Sequence, residues 1–426
     1  MTTTPSRPTT AWPGLDTPPS GVRSEVASRI ARQIFRGAVR RLPVTVHEGG
    51  RTFGQGGPSM VIHRPDEFYA RLGRDGLIGF GESYLTRAWE ADDLGGFLTV
   101  LAADLPRLVP EPLQKLRAAY VRRPPKTHDN TTDHTRDNIA HHYDLSNDMF
   151  RLFLDETLSY SSALFDTSVV DHHAWREAAP PEGGDGEPLA EAQARKIERL
   201  LDQAGVGEGT RVLEIGTGWG ELAIRAARRG ATVHSVTLSS EQLELADERI
   251  AAAGFSDRVT VELTDYRNVE GSFDAILSVE MIEAVGHDYW PTYFQTIDRL
   301  LAPGGKVGIQ AITMPHDRML ATRYTYTWIH KYIFPGGFLP SVQAIQEVVQ
   351  EHTTLRVSDR LSFGRHYAET LRRWDETFAA ASEQVRALGF DETFERMWHF
   401  YLDYSRAGFA SGYIDVQQLT FERPTA

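Results

Sequence analysis

Cysteine is absent from this chain of 426 residues. The protein therefore forms no disulfides, offers no thiolate to a metal ion and has no cysteine nucleophile. Any chemistry must be carried by other side chains or by a bound cofactor. We predict no metal site.

Long apolar runs are also absent. A membrane-spanning helix needs roughly eighteen or more consecutive apolar residues, whereas Phe97–Ala103 has only the length of a core segment. The N-terminal stretch lacks the apolar segment of a secretory signal. These features predict a cytoplasmic protein.

Positive charge is scarce, since the net charge is -13 at neutral pH. This balance argues against broad nucleic-acid binding, and we expect no nucleic-acid partner. Residues 23–41 are an exception, with six arginines and one acidic residue, Glu25. A helix here would place Val26, Ile30 and Ile34 on one face. It would be either a basic amphipathic helix on an anionic membrane or a domain helix with a solvated arginine face.

Changes of composition divide the chain into four segments. Residues 1–20 are rich in proline, threonine and serine and are expected to be disordered. Residues 21–110 mix short strand-like and helical stretches, which predicts a small α+β domain. Residues 111–140 are expected to form a linker or lid, because much of this segment is polar and contains proline. Residues 141–426 would form the main domain.

Strand and helix patterns alternate after residue 190. The predicted strands are Arg211–Ile215, Thr232–Leu238, Val259–Leu263, Phe273–Val279 and Lys306–Ile312, and the predicted helices are Glu221–Arg229, Ser240–Ala253 and Tyr293–Leu301. This alternation predicts an α/β fold with a parallel, doubly wound, Rossmann-like sheet. Leu355–Phe363 and Tyr413–Phe421 are predicted to add the last, partly antiparallel strands.

A glycine-rich loop follows the first of these strands, with the sequence EIGTGWG from Glu214 to Gly220. Glycines at a strand-to-helix turn let a ligand approach the backbone closely. The G-x-G-x-G spacing differs from the G-x-G-x-x-G of dinucleotide folds. A carboxylate beside the loop suits a cationic sulfonium such as S-adenosylmethionine (SAM) better than a diphosphate. The alternative is a glycine-rich turn without a ligand.

The ends of the next two strands are further candidate contacts for a nucleoside. The second strand ends in Thr237 and Leu238 and lacks the acidic residue that usually holds a ribose. Asp265 and Tyr266 follow the third strand, and we predict that they lie at the adenine edge.

Six segments carry a specific resemblance to a known family. They are HHYDLSNDMFRLFLDETLSYSSALF (141–165), VLEIGTGWGELA (212–223), VTLSSEQLELA (236–246), FDAILSVEMIEAVG (273–286), KYIFPGGFLPS (331–341) and FYLDYSRAGFASGYIDVQQLTF (400–421). Through them the chain resembles the cyclopropane fatty acid synthase and mycolic acid methyltransferase family. Residues 21–110 are similar to the extra N-terminal domain of the longer members, which is thought to help in dimerisation and lipid presentation.

The resemblance implies SAM as the cofactor and assigns residues to its parts. Tyr160 and Ser161 would contact the amino-acid end, Gly216, Gly218 and Gly220 would face the methionine and ribose, Thr237, Leu238 and Gln242 would hold the ribose, and Asp265 and Tyr266 would lie near the adenine. Glu214 and Trp219 complete the predicted set as parts of the loop.

The resemblance also implies a site for a proton acceptor. In cyclopropane synthases the acceptor is thought to be a bound bicarbonate, surrounded by a Cys, a Glu, a His, an Ile and a Tyr. The matching positions here are Ser162, Glu283, Gln310, Ile312 and Tyr401. Ser162 replaces the Cys and Gln310 replaces the His, so bicarbonate is a candidate ligand at an altered site. Glu283 is expected to orient the proton acceptor or to be it.

These replacements bear on the product, because the family methylates an acyl double bond through a carbocation. Immediate loss of a proton from the new methyl group closes a cyclopropane ring, whereas a prior 1,2-hydride shift leads to an exocyclic methylene. Gln310 cannot carry charge as a His does. We therefore predict the methylene product, made on an unsaturated, oleoyl-type phospholipid. Relatives that begin 10-methyl fatty acid synthesis in actinobacteria work in this way.

We expect the protein to be a homo-oligomer on the inner face of the membrane, with a separate reductase converting the methylene to a methyl branch. The alternatives are a cyclopropane synthase, a non-catalytic lipid-binding protein of the same fold, and a small-molecule methyltransferase. The intact glycine loop, Glu283 and Tyr401 argue against the non-catalytic alternative.

Overall fold

A computed structural model describes residue 12 and residues 14–105, 146–181 and 186–424. Most of the predicted disordered start, the predicted linker or lid at 111–140 and the first residues of the 141–165 motif lie outside the described residues. Within the described ranges, no helix has both the length and the apolar character that crossing a bilayer requires.

The strands of the described chain belong to two sheets. In chain order they are β1 (Thr45–Glu48), β2 (Arg51–Gly54), β3 (Ser59–Ile62), β4 (Trp89–Ala91), β5 (Val169–Asp171), β6 (Arg176–Ala178), β7 (Arg211–Ile215), β8 (Thr232–Thr237), β9 (Val259–Leu263), β10 (Phe273–Val279), β11 (Leu301–Thr313), β12 (Arg356–Ser362) and β13 (Asp415–Glu422).

The α-helices surround these sheets. In chain order they are α1 (Val22–Val39), α2 (Pro65–Asp75), α3 (Leu77–Leu85), α4 (Leu94–Ala103), α5 (Asn147–Arg151), α6 (Leu189–Gln203), α7 (Glu221–Arg228), α8 (Ser240–Ala252), α9 (Ile282–Val285), α10 (Trp290–Leu300), α11 (His316–Thr322), α12 (Trp328–Tyr332), α13 (Val342–His352), α14 (Gly364–Ala380), α15 (Ser382–Ala387) and α16 (Glu392–Ala410). Short 3-10 helices span Tyr266–Asn268 and His287–Tyr289.

The chain folds into two compact units that interleave along the sequence. The first comprises Met1–Arg123, Thr325–Ile333 and Leu371–Tyr413, and the second comprises Pro124–Tyr324, Phe334–Thr370 and Ile414–Ala426. The sequence patterns placed all of residues 141–426 in one domain. The contacts instead group two later segments with the N-terminal part of the chain.

The first unit contains a four-stranded sheet in the order β2-β1-β3-β4. Its core is aromatic, and the ring of Trp89 packs 4.6 Å from that of Phe80. The late helix α16 joins this core because its Phe400 ring lies 5.4 Å from Tyr84 of α3 and 4.8 Å from Trp328 of α12. Burial of these large rings explains why α12 and α16 belong to this unit.

The second unit contains a nine-stranded sheet in the order β5-β6-β12-β13-β11-β10-β7-β8-β9. Strands β7 to β11 are parallel to one another, and β13 is antiparallel to both β11 and β12. Successive residues of the central strands enter different hydrophobic cores, as Val212 and Leu213 do. Burial on both faces accounts for the continuous apolar strands. The predicted doubly wound α/β fold and its antiparallel last strands are confirmed.

The predicted boundaries differ most around the fifth strand of the alternation. Helix α10 spans Trp290–Leu300, and β11 begins at Leu301 instead of Lys306. The β10–β11 register shifts between Phe273 and Ala275. This irregularity accommodates the proline and glycines that follow Leu301, which the sequence pattern indicated as a helix stop.

Candidate active site

The order of the large sheet reverses between β7 and β10. These strands pair in parallel, with Ser278 opposite Ile215. From β7 the chain continues outward to β8, and from β10 it continues outward to β11 on the other side. Ligands of doubly wound sheets bind at the carboxyl ends of the strands at such a switch point. The glycine loop after Ile215 and the segment after Val279 both start there.

The three loop glycines all have positive φ, at 96° for Gly216, 53° for Gly218 and 87° for Gly220. A Cβ on Gly216 would lie 2.5 Å from Cγ of Met281, so the loop closely approaches the segment after β10. At Gly218 a Cβ would meet no atom within 4 Å. The loop therefore leaves open space at Gly218, as the close approach of a ligand requires.

Glu214 lies buried near the end of β7. Its Oε2 accepts a hydrogen bond from Oγ of Ser235 at 2.5 Å. Burial raises the pKa of Glu214 to about 8, although that hydrogen bond opposes the shift. A nearby cation would favour the carboxylate form again. The residue therefore fits a sulfonium or ammonium ligand such as SAM.

Aromatic residues around α5 pack on the glycine loop. Nε1 of Trp219 donates to Oδ1 of Asn147 at 2.9 Å. The Trp219 ring lies 4.9 Å from Phe150, and Phe150 lies 5.1 Å from Tyr160 in an edge contact. The fold thus places the predicted cofactor residues Tyr160 and Trp219 in one aromatic cluster.

Ser161 is held by two side chains of α6. Its Oγ accepts a hydrogen bond from Nζ of Lys196 at 2.6 Å, and its carbonyl accepts one from Gln193 at 2.8 Å. Burial lowers the pKa of Lys196 to about 8, while the charge of Glu280 opposes this shift. A buried lysine beside a predicted SAM contact was not expected from the sequence.

The predicted ribose residues meet at the carboxyl end of β8. Oγ1 of Thr237 donates to Oε1 of Gln242 at 3.0 Å. Ser239 caps α8 by accepting a hydrogen bond from the Gln242 backbone N–H at 3.2 Å. Leu238, which connects these residues, is partly exposed. The Ser239 hydroxyl also donates to the carboxylate of Glu241 at 3.1 Å, on the first turn of α8.

The two predicted adenine residues lie after β9 in different environments. Asp265 accepts hydrogen bonds from the backbone and side chain of Arg267 at 3.0 and 2.8 Å. Burial opposes ionisation, but the bonds from Arg267 hold the pKa of Asp265 below its usual value. Tyr266 is buried with its ring 5.4 Å from Tyr293. Their contact with adenine stays a prediction.

A partly buried glutamate, Glu280, lies among the residues predicted to surround the proton acceptor. Its Oε1 accepts hydrogen bonds from the backbone N–H of Ser162 at 3.0 Å and from Nε2 of Gln310 at 2.8 Å. Its Oε2 accepts one from the hydroxyl of Tyr367 at 2.8 Å. The Ser162 hydroxyl donates instead to the carbonyl of Ala163. Burial raises the pKa of Glu280 although these donors oppose the shift.

Gln310 is held in one orientation by several partners. Its Oε1 accepts a hydrogen bond from Nε2 of Gln418 at 3.1 Å, while its own Nε2 donates to Glu280 and to the carbonyl of Ser162. Gln418 in turn donates to the carbonyl of Lys196 at 2.9 Å. A neutral amide that donates and accepts at once is therefore built into this network.

Glu283 and Ile312 are also brought together. Oε1 of Glu283 accepts a hydrogen bond from the backbone N–H of Ile312. Oε2 of Glu283 is buried and has no hydrogen-bond partner in the described part of the chain. Burial, followed by the negative charge of Glu280, raises the pKa of Glu283 to about 8. This carboxyl group thus has one oxygen available to a ligand or a proton.

Tyr401 lies on α16 in the first unit, apart in the chain from the other four predicted residues. It is buried, and its ring makes an edge contact with Trp398 at 5.1 Å. Its role at the proton-acceptor site stays a prediction.

The sequence reasoning did not select Glu280, Tyr367 or Lys196. A usable signal existed for Glu280, because it follows directly on β10, where the carboxyl end of a central strand favours a ligand site. No local signal marked Lys196 or Tyr367. Both lie on helices with many polar residues, and only the packed structure shows that they are buried.

These features define the class of the protein. A doubly wound sheet, a G-x-G-x-G loop around open space and a buried carboxylate suited to a cation are those of a SAM-dependent methyltransferase. Residues 130–419 match the family described as mycolic acid cyclopropane synthetase. The chain belongs to this family.

Two similar proteins support the same assignment. Tuberculostearic acid methyltransferase UfaA1 of Mycobacterium tuberculosis is 52% identical over 417 residues, covering 97% of this chain and 95% of that protein. Cyclopropane-fatty-acyl-phospholipid synthase of Escherichia coli is 34% identical over 371 residues, covering 86% of this chain and 88% of that protein. The predicted family and methyltransferase activity are confirmed.

A solved structure agrees with the fold. Mycolic acid cyclopropane synthase CmaA1, complexed with SAH and CTAB, matches with a TM-score of 0.59 and 31% identity, covering 67% of this chain and 97% of that chain. The same fold class therefore holds SAH, the demethylated product of SAM, in a relative.

Proposed function

We propose that this enzyme methylates the double bond of an unsaturated acyl chain in a phospholipid and releases a methylene-branched chain. The observation that carries the proposal is Gln310. This neutral amide occupies the position of the His in cyclopropane synthases and is fixed between Glu280 and Gln418. The relative named tuberculostearic acid methyltransferase, similar over almost the full length, supports a fatty acid substrate.

The reaction requires positioning and a dry site. SAM, when bound, supplies an electrophilic methyl group. An alkene is a poor nucleophile, so the protein must hold the double bond close to that group and exclude water from the resulting cation. The alkene provides the electron pair of the new carbon–carbon bond. A 1,2-hydride shift then moves the charge to the methyl-bearing carbon, and loss of a methyl proton gives the methylene.

The product can be identified directly. We expect cells or vesicles supplied with the enzyme and SAM to yield an acyl chain one CH2 heavier than its precursor and still olefinic. Mild hydrogenation should convert it to a methyl-branched chain, as shown by mass spectrometry. A product that resists hydrogenation and shows cyclopropyl proton signals would contradict the methylene assignment.

A cyclopropane synthase is the second candidate. The similarity to the Escherichia coli cyclopropane-fatty-acyl-phospholipid synthase favours it. In that case Ser162 and Gln310 would be compatible with ring closure, and the predicted bicarbonate would act as the proton acceptor. Dependence of turnover on added bicarbonate would support this alternative.

We also propose that α1 contacts the anionic inner face of the membrane. Val22, Val26 and Ile30 recur every four residues along α1 and are 78%, 52% and 51% exposed. Arg23 and Arg29 of the same helix are exposed too. Exposed apolar residues next to arginines are typical of an amphipathic helix at an anionic bilayer.

Not all arginines of α1 are available to lipid. Arg36 pairs with the buried Glu48 at 2.7 Å, and Arg32 pairs with Asp66 at 2.9 Å. These pairs are part of the packing of the first unit. A test of membrane binding should therefore change Arg23 and Arg29.

We expect Arg23→Glu with Arg29→Glu to weaken binding to vesicles containing anionic lipid, because each arginine near such a surface contributes about 1 kcal/mol. Vesicle sedimentation at low and high salt measures this. Arg228→Glu with Arg365→Glu is the matched control, since it changes net charge equally at two exposed positions of the second unit. Equal loss of binding in both double variants would contradict a specific role for α1.

The remaining partners are part of the same proposal. A homo-oligomer would bring several lipid-binding helices to one surface. Sedimentation analysis can measure the oligomeric state. A methylene product needs a reductase to become a methyl branch, so we propose that a separate enzyme consumes it.

A further inference from the structure

We propose that the carboxylate of Glu280 is the proton acceptor of the reaction, in place of an external anion such as bicarbonate. This inference rests on the proposed function. One oxygen of Glu280 takes the proton that leaves the new methyl group, and the electron pair of that C–H bond forms the methylene double bond. The resulting carboxylic acid returns its proton to solvent before the next turnover.

The first argument is the set of donors around Glu280. Its two oxygens accept hydrogen bonds from the Ser162 backbone, Gln310 and Tyr367 at 2.8 to 3.0 Å. Ser162 and Gln310 are two of the positions expected to surround bicarbonate. A carboxylate offers about four acceptor sites, so these three donors leave one site on Oε2 for an incoming proton.

The second argument is the asymmetry between the two neighbouring carboxyl groups. The negative charge of Glu280 raises the pKa of Glu283, and two carboxyl groups that interact in this way cannot both ionise easily. Burial raises the pKa of Glu280, but three hydrogen-bond donors and the charge of the buried Lys196 oppose this rise. Glu283 has one donor, Ile312, and a buried oxygen without a partner among the described residues. Glu280 therefore has the hydrogen-bond donors that suit a proton-accepting carboxylate, whereas Glu283, whose pKa is raised to about 8, is assigned as a positioning residue beside it.

The third argument is backbone strain. Glu280 has a φ of 52°, a left-handed conformation that side chains other than glycine rarely adopt. A glycine would adopt this conformation without strain, yet the chain has a glutamate at this position. Its backbone is fixed by a hydrogen bond from the Glu280 N–H to the Gln310 carbonyl at 2.8 Å. Strain of this kind is retained mainly where a side chain has a function.

The fourth argument is location. Glu280 directly precedes Met281, whose Cγ would be 2.5 Å from a Cβ on Gly216 of the cofactor loop. It therefore follows the end of β10 at the switch point, beside the loop expected to hold the methyl donor. A proton acceptor must lie in this region, because the proton comes from the transferred methyl group.

The test compares two nearly isosteric variants, Glu280→Gln and Glu283→Gln. Both should bind SAH like the wild type in calorimetry. Glu280→Gln should slow turnover about a hundredfold or more, as expected when a general base is lost. Glu283→Gln should stay within about tenfold of wild type, because an amide resembles a protonated carboxyl group. Comparable turnover of Glu280→Gln and wild type would overturn the proposal.

A second variant, Glu280→Gly, tests whether the Glu280 side chain takes the place of an external base such as bicarbonate. Glycine suits the left-handed backbone and leaves space between the donors of Ser162, Gln310 and Tyr367. We expect wild-type turnover to be unchanged in CO2-free buffer, and added bicarbonate to restore activity to Glu280→Gly but not to Glu280→Gln. A wild-type enzyme that needs bicarbonate would overturn the proposal.

The product of the same reactions separates this inference from the proposed function. A cyclopropane from the wild type would refute the methylene product, while the bicarbonate response and the Glu280→Gln rate would still identify the proton acceptor. Absence of any acyl methylation would overturn both.

Discussion

Gly218→Leu is expected to abolish SAM binding in calorimetry. A Cβ at Gly218 meets no protein atom within 4 Å, so the new side chain can enter the space beside the loop without disturbing the core. That space is where the ligand must approach the backbone. We expect the affinity for SAM to fall at least about a hundredfold, which corresponds to about 2.7 kcal/mol.

Backbone strain needs a separate control, because Gly218 has a φ of 53°. Gly254→Leu provides it. Gly254 lies just after α8, has a φ of 80° and also has open space around a Cβ. Both variants should lose roughly 1 to 2 kcal/mol of folding stability, because leucine is strained in the left-handed conformation. Only Gly218→Leu should lose SAM binding. Normal SAM binding by Gly218→Leu would refute the cofactor site.

Gln310→His, alone or with Ser162→Cys, is expected to change the main product. The hydride shift competes with removal of the methyl proton, and an imidazole next to Glu280 can take part in proton transfer at neutral pH. Faster proton removal favours ring closure. A change of about 1.4 kcal/mol between the two barriers alters the product ratio tenfold. We therefore expect a large rise in the cyclopropane fraction, measured by mass spectrometry and proton NMR.

Gln417→His is the matched control for this change. Gln417 is also a buried glutamine of the large sheet, and its partners are Asp415 and Arg360. The replacement introduces the same imidazole away from Glu280. It should leave the product ratio unchanged whatever it does to stability. An unchanged ratio in Gln310→His would show that the residue at 310 does not determine the product.

Local sequence patterns predicted the main sheet well. Strands β7, β9 and β10 have the predicted bounds. Helices α7 and α8 begin at the predicted residues and end one residue before their predicted ends. These elements are buried on one or both sides, so their apolar periodicity is strong. The start of β11 was placed too late, because a proline and two glycines usually end regular structure but here lie within an irregular β10–β11 pairing.

The cofactor loop could also be predicted from the sequence, whereas the arrangement of the proton-acceptor site could not. A G-x-G-x-G turn is a local feature, and its backbone conformation follows from the glycines themselves. Glu280, by contrast, depends on Ser162, Gln310 and Tyr367, which are far from it in the chain. No local pattern states which distant donors will surround a carboxylate.

The sequence by itself therefore determined the alternating strands and helices, the glycine loop and the family, because each depends on short-range order along the chain. Only the tertiary structure decided that α12 and α16 pack with the N-terminal unit, that Lys196 is buried, and that Glu280 has three donors while Glu283 has one. The reason is physical. Burial and hydrogen bonding between distant segments set the charge of these groups, and such contacts exist only once the strands and helices have packed together.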